Sequence, residues 1–476
     1  MSNERGQSGV VIVLGGIVLL IAGLVYVLTH KTQAVPPIPN PDPDPPKASD
    51  STTINFYLDG SGSIKHFLTT TVDADGHPLK NYMKELLDKA GTTLSNPPSE
   101  VGWKGKVNFL KFGTKIDPIP DNDPHTMSLH PEDFNAGNTS IEVPILDQRQ
   151  GEEVERNPEV KIIVTDLYEN GGRIEFPAKA LASNYLSSEK DPNGRNAVDI
   201  LAVRNPFDGQ VQDLPGSAKG AVIRNAANTM PFYVIVAGPT ADVRHVMSVL
   251  LSGTGLADAK KNDSATEFLF TRTPLPHRTD EMKLGGSGHF SGGDFPGRKI
   301  PLISLQSGTM EMRWDNSVKP SEGAVNLYGR QDNQQLRTTV LMPPVNTPGG
   351  SSDSPAWVEL PDGSNAIDDC TPADLLCKSI DRSKLPKEPR TYILRFDRVV
   401  KERTTALDPD SPDLHKWNIE EADAEVISHT PPNKNPHFEN MRGLTPDLSK
   451  FLNALEGQMF RSPVPVTSYY VYLQAN

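Results

Sequence analysis

Five residues in three separated stretches carry oxygen atoms that together could hold a divalent cation. Asp59, Ser61 and Ser63 lie in the turn Asp59-Gly60-Ser61-Gly62-Ser63, and Thr139 and Asp166 follow further along the chain. Mg²⁺ demands near-octahedral oxygen ligation and retains waters, so a few hydroxyls with one or two carboxylates hold it and leave positions for water or a partner's oxygen. Mn²⁺ accepts the same hard donors. Gly60 and Gly62 are expected to supply positive-φ backbone where side chains would obstruct the ion. The plainer alternative is a Gly/Ser turn between a strand and a helix, with Asp166 capping a helix.

These residues need a scaffold, and the surrounding pattern supplies one. The apolar run Ile54 to Leu58 reads as a buried parallel strand, which puts the turn at a strand's carboxyl end, where open α/β sheets bind ligands. Leu79, Tyr82, Met83, Leu86, Leu87 and Ala90 recur at helical spacing after Pro78, and Lys106 to Phe112 reads as the next strand. Ile162 to Val164 form a strand before Asp166. Phe176 to Leu186 reads as a helix, Ala197 to Val203 and Phe232 to Ala237 as strands, and Val243, Val246, Met247, Leu250 and Leu251 as one face of a last helix. The alternation predicts a doubly wound parallel sheet with helices on both faces. Residues 205–230 fit it poorly and read as an elaborated loop.

The chain resembles the von Willebrand factor A-type domain in three ordered pieces over residues 51–255. They are Asp59-x-Ser61-x-Ser63, then Gly137-Asn138-Thr139, then the strand Lys161 to Thr165 ending in Asp166. The resemblance implies a Rossmann-like fold and a metal-ion-dependent adhesion site. In such a site Ser61, Ser63 and Thr139 bind Mg²⁺ (or Mn²⁺) directly, while Asp59 and Asp166 act partly through water. The ion then attracts an Asp or Glu carboxylate from a protein partner. One departure is extra polar and proline residues between Asp117 and Asp133, which lengthen the interval before Thr139. His125 and His130 in that stretch lack the spacing of a zinc pair and read as surface residues.

Residues 262–476 change character. Glu267 to Thr271, Leu302 to Leu305, Met310 to Trp314, Ala324 to Tyr328, Leu336 to Met342, Thr391 to Phe396 and Tyr469 to Leu473 are short β-type runs, predicting a mostly β, sandwich-like second domain. Gly285 to Gly293 lacks the ending of a phosphate-binding loop and reads as a linker. Cys370 and Cys377, seven positions apart in one segment, would permit a disulfide in an oxidising compartment; the alternative is two small apolar core residues on a helix.

At the amino terminus, residues 1–8 form a short tail, and Gly9 to Thr29 are 21 residues without a charge. As a helix they would be about 31 Å long and cross a bilayer once. A cleaved signal peptide would have a shorter apolar core. Residues 30–50 form a linker in which Val35 to Lys47 holds seven prolines, a semi-rigid extended spacer. Arg5 on one side and Lys31 and Lys47 on the other barely discriminate orientation, and the reading taken is a tail inside and the folded part extracytoplasmic.

The net charge of -13 and the absence of a basic cluster exclude nucleic acid as a partner. No Gly-x-Ser-x-Gly elbow, His-Glu-x-x-His pair or repeated Cys-x-x-Cys is present, and Ser61 and Ser63 have no identifiable base, so a catalytic role is not expected. The expectation is a membrane-anchored protein that captures an acidic side chain of a protein partner through its metal. A scaffold subunit of a membrane complex with a structural metal, served by an AAA+ ATPase as some A-type domains are, is the alternative. A metal-dependent hydrolase is a third.

Overall fold

A computed structural model of the chain describes residues 49, 52–73, 75–96, 106–147, 159–167, 174–187, 189–191, 195–211, 221–223, 229–271, 282–294, 301–314, 334–342, 358–360, 366–370, 374–385, 391–400, 417–419, 445–459 and 464–475. The apolar segment 9–29 and the proline-rich stretch 35–47 lie outside the described residues. Among the described residues no helix is long and apolar enough to cross a membrane.

The first half is built on a seven-stranded sheet. Its strands are β1 (Thr53–Asp59), β2 (Val107–Phe112), β3 (Ile116–Pro118), β4 (Glu159–Thr165), β5 (Asn196–Pro206), β8 (Thr229–Pro239) and β9 (Ala265–Thr271), in the order β3-β2-β1-β4-β8-β5-β9. A separate hairpin, β6 (Gly209–Val211) with β7 (Ala221–Ile223), occupies part of the stretch read as an elaborated loop. The expected parallel sheet is corrected to a mixed one. β1 pairs in parallel with β2 and β4, but β8 runs antiparallel between β4 and β5, and β9 runs antiparallel to β5. The chain passes from β5 to β8 by way of the small hairpin, and β8 comes back antiparallel to β5. Both strands are buried on both faces, and a continuous apolar run reads alike in either direction.

Helices cover both faces. On one side α1 (Gly62–Thr69), α2 (Tyr82–Ser95), α6 (Thr240–Gly253) and α7 (Leu256–Lys261) pack on Ile54, Phe56, Leu58, Ile162 and Val164. The segment expected as an extra loop is folded: α3 (Pro124–Leu129) is capped by Asp123, and Ile119, Met127 and Phe134 enter the same core. Asn122 fastens it to β2, accepting from Phe109 N at 2.8 Å and donating to Val107 O at 3.0 Å. His130 is exposed and His125 half-buried, and each faces a carboxylate, Glu132 and Asp88 respectively.

The opposite face is covered by α4 (Glu142–Leu146), α5 (Glu175–Leu181) with its π-turn extension to Leu186, and a helix from the far end of the chain, α8 (Leu448–Met459). Leu448, Phe451, Leu452, Leu455 and Met459 of α8 share a core with Tyr57, Ile163, Tyr233 and Phe270, joined by Trp417. The hydroxyls of Tyr233 and Thr445 are 2.7 Å apart. Among the described residues no helix lies between β5 and β8 in the chain, and this late segment covers that part of the sheet.

The rest of the chain adds two larger sheets and a short pair. Met282–Gly285, Thr309–Trp314, Asp374–Asp381 and Ile367–Cys370 form a four-stranded sheet. His289–Asp294, Pro301–Ser307, Val464–Ala475, Thr391–Val400, Gln334–Met342 and Val358–Glu359 form one of six strands. Met312 and Trp314 of the first share a core with Leu305, Phe396 and Val471 of the second. The expected run at 267–271 belongs to the first sheet instead, as β9, so the boundary drawn at residue 262 moves past Thr271. The run at 324–328 lies outside the described residues. Gly285 to Gly293, read as a linker, supplies two strand ends and the turn between them. There Gly288 N donates to Thr309 O at 2.8 Å, and Gly286 has φ +110° with its backbone against that of Thr309, an approach only glycine allows. Cys370 and Cys377 are buried and joined as a disulfide.

Candidate functional site

The turn after β1 holds its acid and its hydroxyls in one hydrogen-bonded set. Asp59 is fully buried; its Oδ1 accepts from Ser61 N at 2.8 Å and its Oδ2 from Thr165 Oγ1 at 2.8 Å. The carboxylate is thus aimed by a donor on each of two strand ends. Ser61 is the residue before α1, in extended conformation, yet its side chain makes no cap bond to the helix. Its Oγ lies 2.8 Å from Ser63 Oγ instead. This separates the site from an ordinary Ser-capped turn, in which the hydroxyl satisfies a helix N–H.

The glycines act differently from the expectation, because neither Gly60 nor Gly62 has positive φ. A Cβ on Gly60 would sit 2.9 Å from Phe112 O, so glycine there permits close approach to β2, where Gly60 N donates to Phe112 O at 2.8 Å. Around Gly62 there is open space. The need at 60 is for room, not for a left-handed backbone.

The loop bearing Thr139 is tied to this turn by backbone bonds. Ala136 N donates to Gly60 O at 3.0 Å, Ser61 and Ala136 form an isolated bridge, and Ser140 N donates to Gly113 O at 3.3 Å. Thr139 itself is buried. Beyond it, α4 is held from below: Lys161 Nζ donates to the carbonyl oxygens of Pro144, Ile145 and Asp147 at 3.1, 2.9 and 2.6 Å. Tyr57 donates its hydroxyl to Asp147 Oδ2 at 2.9 Å. Burial pushes the Lys161 ammonium below the usual lysine range. The strands that end in Asp59 and Asp166 therefore also anchor the helix that follows Thr139.

Asp166 ends the third stretch, 1% exposed. The next residue, Leu167, has φ +63°, and its N–H reaches Thr165 Oγ1 at 3.2 Å. A buried leucine in the left-handed region is sparsely populated backbone, a kind of strain that gathers at functional sites. Asp166 does not cap the following described helix, which begins at Glu175 after Ile174. The structure thus brings the three loops together at the carboxyl ends of β1 and β4. Thr165 was missed by the sequence reading, although the register Leu58 to Val164 places it opposite Asp59.

Asp59, Ser61, Ser63, Thr139 and Asp166 supply only oxygen donors, the chemistry a small hard cation takes. The Ser61 and Ser63 hydroxyls are hydrogen-bonded to each other at 2.8 Å, an ordinary O–H···O distance that is also close to the ~2.9 Å between adjacent ligands of an octahedral ion with bonds of ~2.0–2.1 Å. Ser61 and Ser63 are partly exposed, whereas Asp59, Thr139 and Asp166 are buried. Beside the site, a cavity of about 430 Å³ is lined by the β2–β3 turn and residues Asn135 to Asn138.

Two further groups bring potential ligands together. Asp73, Asp75 and His77 are close on the surface, but Asp73 Oδ1 already accepts the backbone N–H of Asp75 and His77, so the cluster is a turn fastening. Glu311 lies beside Cys370 and Cys377, whose sulfurs are bonded to each other. Comparison with family models, curated proteins and solved structures finds no match to this chain.

Proposed function

We propose that this chain is a membrane-anchored, A-type-domain-like binding protein with an extracytoplasmic folded part. In this reading its Asp59, Ser61, Ser63, Thr139 and Asp166 hold Mg²⁺ or Mn²⁺ in an adhesion-type site that captures an acidic side chain of a protein partner. The observation that carries it is the partly exposed Ser61–Ser63 pair after β1, whose hydroxyls bond to each other at 2.8 Å and are not engaged in helix capping, beside the buried Asp59. When bound, the ion would supply a doubly positive point with affinity for a carboxylate oxygen.

The chain's own residues do the rest. Thr165 and the Ser61 N–H orient Asp59, leaving it to balance charge and to hold water or a serine hydroxyl. Lys161 and Tyr57 fix the helix behind Thr139. The Ser61 and Ser63 hydroxyls bond to each other and not to a histidine or lysine base, and the reading is binding without turnover.

Titration of the full chain with Mn²⁺, following the free-ion electron paramagnetic resonance signal, tests it. One site is expected in the wild type, lost in Asp59→Ala and in Ser61→Ala, together with Mg²⁺-dependent retention of a fluorescent peptide containing a single Glu. Equal Mn²⁺ uptake by wild type and both variants, or peptide retention that persists in EDTA, would overturn the proposal.

A further inference from the structure

The cavity beside the candidate site has a lining of definite chemistry. It is lined by Phe112, Gly113, Lys115, Asp117, Asn135 and Asn138, together with Lys111, whose stem lies beside the turn at Gly60. The Lys111 stem passes within 3.2 Å of where a Cβ on Gly60 would lie, and its Nζ donates to Asp133 O at 3.1 Å. Lys115 is exposed and pairs with Asp117 at 3.1 Å. Two ammonium groups against one carboxylate leave the cavity cationic on a chain whose net charge is -13.

The cavity and the metal-site turn share the same loop. Asn138 lines the cavity and is followed directly by Thr139, and Ala136 lines it while bridging to Ser61. Its volume, about 430 Å³, is in the range that holds a few residues of a ligand. In an extended segment, residues two apart project on the same side with about 6.8 Å between them, so one such segment can present two acids to neighbouring parts of a surface.

We propose that this cavity is a second recognition subsite for an acidic segment of a protein partner, taking the carboxylate two residues from the one held at the metal. Lys111 and Lys115 receive that second carboxylate. The side-chain amides of Asn135 and Asn138 offer hydrogen bonds to the segment's backbone, which a single-point metal contact cannot discriminate. The inference rests on the metal-capture reading and adds the partner's sequence chemistry to it: Glu/Asp-x-Glu/Asp in extended conformation.

Fluorescence anisotropy with the full chain in Mg²⁺ tests it with three labelled peptides: Gly-Glu-Gly-Glu-Gly, Gly-Glu-Gly-Gln-Gly and Gly-Gln-Gly-Glu-Gly. The doubly acidic peptide is expected to bind at least fivefold more tightly than either single-acid peptide. That ratio should fall below twofold in Lys115→Ala and invert in Lys115→Glu, a surface change that leaves folding intact. A wild-type ratio near one, or a ratio unchanged in both variants, overturns the subsite while leaving metal capture standing. Failure of all three peptides to bind in a Mg²⁺-dependent way overturns the metal reading, and the subsite with it.

Discussion

Thr165 gives its hydroxyl proton to Asp59 Oδ2 across 2.8 Å, joining the last residues of two parallel strands through one buried bond. The acid at the end of β1 is therefore aimed from the end of β4, and its geometry depends on the register between them. Thr165→Val keeps the shape and removes the donor. Hydrogen bonds to charged groups contribute about 1.5–3 kcal/mol, so Mn²⁺ affinity is expected to drop about tenfold, with Thr165→Ser close to wild type. Calorimetric Mn²⁺ titration of the three proteins checks this. Unaltered affinity in the valine variant would show that Asp59 is not positioned this way.

Lys161→Met should destabilise the first sheet unit. The lysine satisfies three backbone carbonyls around the end of α4, at least two of them in fully buried bonds. Leaving buried acceptors unmet costs ~1–3 kcal/mol each before relaxation; a net loss of about 2–4 kcal/mol is expected by urea denaturation. Retention of wild-type stability would mean that water replaces the ammonium.

Asp199 sets a pH dependence. It is buried in β5 under α6 and α7, and its carboxyl is raised well above the usual range, first by burial and then by the neighbouring charge and hydrogen bond of Glu267. Lys260 pairs with Glu267 at 2.5 Å, and Lys260 and Arg244 act in the opposite direction on Asp199. A raised acid binds more protons folded than unfolded, so stability falls as pH rises from the unfolded value near 3.8 through the higher folded one. Asp199→Asn should remove that fall: at pH 7 to 8 its melting temperature should equal or exceed wild type, with the difference shrinking on acidification toward pH 5. A variant less stable than wild type by the same amount at every pH would contradict the assignment.

The disulfide closes a short ring, so its contribution should be modest. Cys370 and Cys377 are seven positions apart, and the loop-entropy relation gives about 2–2.5 kcal/mol for a ring of that length. Cys370→Ser with Cys377→Ser should lower the unfolding temperature of the two-sheet half and leave Mn²⁺ uptake unchanged. Loss of Mn²⁺ binding in this variant would tie the halves together more tightly than the chemistry indicates.

The ends of β1 and β4 were legible because strands buried on both faces are continuous apolar runs, and Asp59 and Asp166 punctuate them. Strand direction was not, since Ala197 to Val203 and Phe232 to Ala237 carry the same signal either way. The role of Gly60 was misread, because a sequence shows the missing Cβ but not whether φ or a neighbour requires it. Leu448, Phe451, Leu452 and Leu455 repeat at helical spacing and could have revealed α8. No local pattern, however, states that a helix so late in the chain packs against Tyr233. Likewise Lys161 reads as an outlier in an apolar strand until the carbonyls of α4 are seen beneath it.

The path of the chain leaves the first sheet after β9, builds most of the two-sheet half, returns as Trp417 and α8, and leaves again as Val464–Ala475. Each half is thus completed by a segment threaded through the other. During synthesis, a chain that has emerged only as far as Thr271 has all seven strands but lacks the five apolar side chains of α8, each worth about 1.5–3 kcal/mol when buried. The part of that sheet face that α8 covers waits exposed until α8 itself has left the ribosome, so a premature stop after the first half yields a sticky fragment instead of a smaller working domain.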